Sequence, residues 1–162
     1  MADSPYQNVN FHFKVHFPLP DPKTGDKNGA AVDIRFQSVT GLDSTIDTEI
    51  IKEGGENRFE HVIPTRRKYG PLVLKRGLLS PEDSGITKWL KDAFDNEVFT
   101  TLDGVVIVLL NEDHQPMLQW TVNNVWPRSW KIGELNAERG EILIETLELS
   151  YNRLLYGTPK EN

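Results

Sequence analysis

The chain has 162 residues, 38% of them hydrophobic, a formal net charge of −6 and no cysteine. This length and apolar content suit a single domain over 1–162 with a modest core, and the lack of cysteine excludes disulfides, thiolate metal sites and cysteine nucleophiles. The acidic balance argues against a surface that grips phosphates. No run of about eighteen apolar residues offers a membrane span, and MADSPYQNVN lacks the regions of a signal peptide, so the expectation is a chain made in the cytoplasm.

The first element is VNFHFKVHF, where Val9, Phe11, Phe13, Val15 and Phe17 alternate with Asn10, His12, Lys14 and His16, the period of a strand with one buried face. PLPDPKTGDKNG reads as a solvent loop. In the next strand, AAVDIRFQSV, Val32, Ile34 and Phe36 share a side, and the two strands are expected to pair antiparallel.

STIDTEIIKEGGENRFEHVI reads as a hairpin over 45–63, with arms Thr45 to Lys52 and Arg58 to Ile63 joined through Gly54 and Gly55, whose freedom of φ suits a tight turn. Its arms carry much charge and few large apolar groups, so it gains little from its own core and calls for a neighbour. KYGPLVLKRG follows, a strand held by Leu72 to Leu74. Arg66, Arg67, Lys68, Lys75 and Arg76 flank it, either as solvated charges at the strand's ends or as a basic patch that meets an acidic partner surface.

A helix over about 81–95 is predicted from Ser80 as N-cap, Pro81 in the first turn and acids behind it. Ile86, Trp89, Leu90, Ala93 and Phe94 form its apolar stripe, and Gly85 delays the regular part by a turn. DGVVIVLL is a buried strand, turned by residues 111–116 into MLQWTVNNVWPRSW. The last strand, GEILIETLELSYNRL, sets Leu143, Leu147, Leu149 and Tyr151 against Ile142, Ile144, Thr146 and Glu148. Seven or eight strands and one helix point to a mainly β fold, a two-sheet sandwich or flattened barrel with one packed helix and an extended hairpin.

No catalytic or cofactor constellation is apparent. Among His12, His16, His61 and His114, the first two lie on one strand ~13 Å apart, too far to share a metal ion. Asp47 and Glu49 on the hairpin read as solvated charges, and neither a phosphate loop nor a Gly-x-Ser-x-Gly elbow is present.

FQSVTGL, EGGEN, IPTRRKYGPLVLKRG, ITKWL, and the closing series LLNEDHQPMLQW, NNVWPRSWKIGELNA and EILIETLELSYNRL, in this order and spacing, resemble the tail tube proteins of contractile phage tails and extracellular contractile injection systems. The resemblance runs from about Phe11 to Leu155. Pro64-Thr65 departs from the Pro-Gly of many relatives, which leaves the branch open, with the injection-system branch expected over a phage. It implies a structural protein, not an enzyme and without cofactor, that forms hexameric rings stacked into a tube. The implied partners are further copies of itself, a contractile sheath protein, baseplate hub or spike and tube-capping proteins, and luminal DNA or effector cargo that passes without tight binding.

No membrane anchor is implied, and the particle is a phage tail or phage tail-like assembly. The subunit and ring interface is expected at Ile46, Thr48, Ile50, Glu53, Gly54, Gly55, Asn57 and Phe59 of the hairpin, and at Lys75 and Arg76 where a strand end meets a neighbour. The alternatives are a tube protein of type VI secretion, released as a ring, and a monomeric barrel with Trp120, Trp126 and Trp130 at the mouth of an apolar ligand site.

Overall fold

The computed structural model describes residues 12–20, 32–33, 36–52, 54–55, 60–138 and 140–159. Along the chain come β1 (His12–His16), β2 (Val32–Asp33), β3 (Phe36–Thr40), β4 (Ser44–Ile51), β5 (His61–Tyr69) and β6 (Leu72–Gly77). The helix α1 (Gly85–Asp95) follows, then β7 (Val105–Leu110), β8 (Pro116–Asn123), β9 (Trp126–Ile132), β10 (Ile144–Ser150) and β11 (Arg153–Gly157). The strands form a five-stranded sheet, β11-β8-β7-β1-β2, a four-stranded sheet, β3-β6-β10-β9, and the separate two-stranded ribbon β4-β5. Neither large sheet closes into a barrel among the described strands, so of the two expected architectures the sandwich is the one found.

Alternation explains which faces meet. Val15 of β1, Val105 and Ile107 of β7, and Val122 of β8 enter the core from one sheet, and Leu72, Leu74, Leu147 and Leu149 of β6 and β10 from the other. These four leucines are fully buried and directly opposed in register, Leu72 to Leu149 and Leu74 to Leu147. Each contributes about 2 kcal/mol by removal from water. Ile86, Trp89 and Leu90 of α1 join the same cluster.

Some boundaries differ from expectation. The segment read as one strand from Ala30 to Val39 is divided: Val32–Asp33 pairs antiparallel with β1 in the larger sheet, as anticipated, while Phe36–Thr40 pairs with β6 in the other. The predicted last strand is likewise divided at Tyr151, because β10 and β11 belong to different sheets. This raises the strand number to eleven among the described residues.

The helix starts later than predicted. Ser80 to Asp83 form a turn, in which the Asp83 and Ser84 amides donate to the Ser80 carbonyl, both at 3.1 Å. Ser84 is the N-cap, accepting from the Thr87 amide at 3.4 Å, and the helix begins at Gly85. Phe94, placed by periodicity on the buried stripe, is 41% exposed. Val9 and Phe11 lie outside the described residues, as do Ile34 and Arg35.

Candidate functional site

The β4–β5 hairpin is the feature that its own fold does not explain. Every residue of β5 from His61 to Lys68 is exposed, and β4 is exposed except at Asp47. The hairpin is longer than the sequence suggested, because β5 runs on to Tyr69 opposite Ser44 and takes Arg66, Arg67 and Lys68 into the ribbon itself. Thr65 and Arg66 stand opposite Asp47 alone, a bulge directly after Pro64, which lacks an amide to donate.

The register sorts the hairpin into two faces. Ile46 opposes Arg67, Thr48 opposes Pro64 and Ile50 opposes Val62, all on one side. Ile46, Ile50 and Val62 are 51%, 54% and 59% exposed. The other side is mixed, carrying Asp47, Glu49 and Lys68 beside Ile51 and Ile63, with an ion pair between Lys68 and Asp47. One face is therefore mainly apolar and open to solvent, a pattern that normally implies a covering surface. Towards the tip, Lys52 lies 3.7 Å from Glu60, a surface pair of little energetic weight. Gly55 occupies the turn at φ +108°, as the paired glycines predicted.

The base of the hairpin is clamped to the sandwich by Tyr151. Its hydroxyl donates to the Gly41 carbonyl at 2.9 Å and to the Asp43 carbonyl at 3.3 Å, both just before β4. Its ring lies 5.2 Å from that of Tyr69, the last residue of β5. The Asp43 carboxylate accepts from the Gly70 amide at 3.2 Å, tying the two arms together. Burial, followed by the charge of Asp43 and the neighbouring Tyr69, pushes the Tyr151 hydroxyl up to about 12. The backbone at Gly41, with φ +89°, passes so near β6 that a Cβ there would stand 1.9 Å from the Pro71 carbonyl oxygen.

A second polar cluster is wholly internal. Arg76 and Glu145 are both fully buried, and the Arg76 Nε donates to Glu145 Oε1. The other guanidinium nitrogens donate to Ser84 Oγ at 3.0 Å and Thr87 Oγ1 at 2.7 Å, while Trp130 Nε1 donates to Glu145 Oε2 at 2.7 Å. Phe36 lies beneath the guanidinium, its ring centre 5.6 Å from Arg76 Cζ. The cluster joins β6, β10, β9 and the N-terminus of α1.

This placement corrects one expected interface residue. Arg76 cannot present its charge to a neighbouring ring, because the alternation that turns Leu72 and Leu74 inward also turns Arg76 inward, onto Glu145. Lys75 projects the other way and is exposed. Ile46, Thr48, Ile50, Gly54 and Gly55 lie together on the exposed hairpin, whereas Glu53, Asn57 and Phe59 are outside the described residues. Sequence reasoning missed the Arg76–Glu145 pair and the Tyr151 clamp. The first was visible as two charges in phase with buried leucines; the second joins residues more than a hundred positions apart and had no local signal.

The three tryptophans proposed for a ligand mouth are engaged separately. Trp120 packs against Tyr156 at 5.8 Å, Trp130 binds Glu145, and Trp126 is 40% exposed. Among the described residues no group of three metal-ligating side chains is gathered, and no helix is long and apolar enough to cross a membrane.

Comparison with solved structures finds the same fold in chains of contractile particles. A chain of the six-fold symmetrised baseplate of the anti-feeding prophage is 27% identical with a TM-score of 0.75, covering 96% of this chain and 98% of that one. A chain of the tube-terminating cap of the same prophage is 24% identical with a TM-score of 0.75, covering 98% and 100%. A chain of the extended sheath-tube complex of PVC, an extracellular contractile injection system, is 22% identical with a TM-score of 0.74, covering 96% and 94%. No curated protein matches the chain. Residues 9–155 match the family of the T4-like virus tail tube protein gp19, and with nearly its whole length inside that match the chain belongs to this tail tube family.

Proposed function

We propose that the chain is the inner tube subunit of a contractile injection particle, assembling as hexameric rings that stack into a hollow conduit. A sheath contracts around this conduit, the tube is driven through a target envelope, and effector protein or DNA travels along its lumen. The observation that carries the reading is the β4–β5 hairpin, which exposes Ile46, Ile50 and Val62 on one face and reaches the chain's own core only through Tyr69 at its base. Such a face is stabilised when a neighbouring subunit covers it.

The open edges of both sheets support the same reading. Among the described strands β3 and β9 end one sheet, and β2 and β11 the other, and lateral pairing of copies would cover such edges, which otherwise invite aggregation. The net charge of −6 suits a duct whose wall repels anionic cargo. Likeness to chains in a sheath-tube complex and a tube-terminating cap supports a sheath and a cap as partners. The 27% identity to a chain of the anti-feeding prophage baseplate supports the injection-system branch.

The test is negative-stain electron microscopy of the purified protein, with its mass in solution at low and high concentration. Rings or stacked tubes with a central hole are expected. A monomer that stays single at every concentration and in the presence of baseplate and sheath proteins would refute the reading.

A type VI secretion tube is the second reading, favoured by likeness to a type six secretion system protein at a TM-score of 0.61 with 11% identity, which concerns the fold alone. Co-purification with a contractile sheath in a particle separates the first reading from a ring released on its own.

A further inference from the structure

Between β9 and β10 the chain forms a loop whose ends are fastened by backbone bonds, Gly133 amide to Ile144 carbonyl at 2.8 Å and Leu78 amide to Leu143 carbonyl at 2.9 Å. The loop encloses an open cavity of about 260 Å³ lined by Gly133, Glu134, Leu135, Asn136 and residues 141–144. Leu135 and Ile142, on its rim, are 80% and 79% exposed, more than any other large apolar side chain among the described residues. The loop carries three glutamates, Glu134, Glu138 and Glu141, against the single arginine at 139. Among the described residues none of these glutamates has a cation partner.

The hairpin presents the converse. Ile46 and Arg67 are a directly opposed pair on its apolar face, and Arg66 and Arg67 are exposed with no carboxylate partner among the described residues. A cavity of 150 Å³ holds a benzene-sized group, so 260 Å³ is ample for an isoleucine side chain. We propose that the Gly133–Ile144 loop is the docking site for the β4–β5 hairpin of a second copy, with Ile46 seated between Leu135 and Ile142 and Arg67 set against Glu134 and Glu141.

Charge complementarity selects this occupant: the acidic rim and the basic pair, each without an ion-pair partner among the described residues, belong to the same chain. Because the two patches differ, the contact is head-to-tail and propagates into a ring or a stack rather than stopping at a dimer. The inference rests on the tube reading and names the surfaces through which the copies join.

The natural absence of cysteine makes a direct test clean. A chain carrying both Arg67→Cys and Glu141→Cys, assembled and then oxidised, is expected to give a ladder of linked species well beyond the dimer, while each single variant gives none. Charge exchange supplies a second readout. Arg67→Glu or Glu141→Arg alone is expected to lower the assembled fraction roughly tenfold, and the two together to restore it.

Rings or tubes seen by microscopy without the ladder would overturn this docking and leave the tube reading standing. A ladder that ends at dimers would overturn the head-to-tail arrangement. An unaltered chain that never self-associates would overturn both.

Discussion

Arg76 and Glu145 face each other across adjacent strands of one sheet, both fully buried and both in the register row that follows Leu74–Leu147 and Leu72–Leu149. The ion pair thus continues an apolar ladder, and its remaining hydrogen bonds reach Ser84 and Thr87 at the start of α1 and Trp130 on β9. No buried side-chain polar atom among the described residues is left without a partner. Two charges removed from water are tolerated when every donor and acceptor is answered, as it is here.

Arg76→Met leaves the Glu145 carboxylate buried without its counter-charge and should destabilise the subunit by about 3–5 kcal/mol. Arg76→Lys should fail to restore stability, because an ammonium cannot reach Glu145, Ser84 and Thr87 in one plane. Replacing both partners, Arg76→Met with Glu145→Leu, should cost less than the sum of the single changes. Urea unfolding of the unaltered chain, of Arg76→Met, Arg76→Lys and Glu145→Leu singly, and of the double variant checks all three outcomes, and additive losses would contradict the pairing.

Tyr151 links stability to alkaline pH. Its folded-state value of about 12 lies above the ordinary 10.0, so between those values the unfolded chain releases a proton that the folded chain retains. Stability from the hydroxyl is therefore complete below pH 10 and declines as pH rises towards 12. Tyr151→Phe should remove that part of the decline and cost about 1 kcal/mol at neutral pH through loss of the bond to Gly41. Thermal unfolding of both proteins between pH 7 and the alkaline window, roughly pH 10 to 12, measures the difference.

Gly41 and Gly55 both have positive φ but differ in surroundings. At Gly41 a Cβ collides with the Pro71 backbone, whereas at Gly55 nothing lies within 4 Å. Gly41→Ala should cost roughly 3 kcal/mol or more through clash and strain together. Gly55→Ala should alter the local turn and leave global unfolding nearly unchanged, because the ribbon tip is separate from the sandwich core. Denaturant midpoints of the two variants test the contrast.

Ile50→Asp separates assembly from folding. The side chain is 54% exposed on the open face of the hairpin, so the monomer's stability should shift by no more than about 0.5 kcal/mol. Assembly into rings should be lost, since a carboxylate would be buried unpaired in the contact. Paired unfolding and sedimentation measurements decide it; an unfolded monomer or an undisturbed assembly would each count against the assignment of this face.

The sequence by itself determined the β class, the single amphipathic helix, the inward face of β1 and the exposed character of the hairpin. All of these follow from local periodicity and from where apolar groups are missing. The same alternation contains the inward turn of Arg76 and Glu145, whereas charge type taken alone points to an exposed strand end. The helix boundary was misplaced by one turn because Ser80 and Ser84 both offer capping side chains. The choice of Ser84 depends on its contact with Arg76, which periodicity does not contain.

Tertiary structure alone decided how the strands divide between sheets, the extension of β5 to Tyr69, the clamp from Tyr151 to Gly41 and the cavity between β9 and β10. Each of these is set by contacts between segments distant in the chain, whose energies depend on close packing in three dimensions rather than on the order of neighbouring residues.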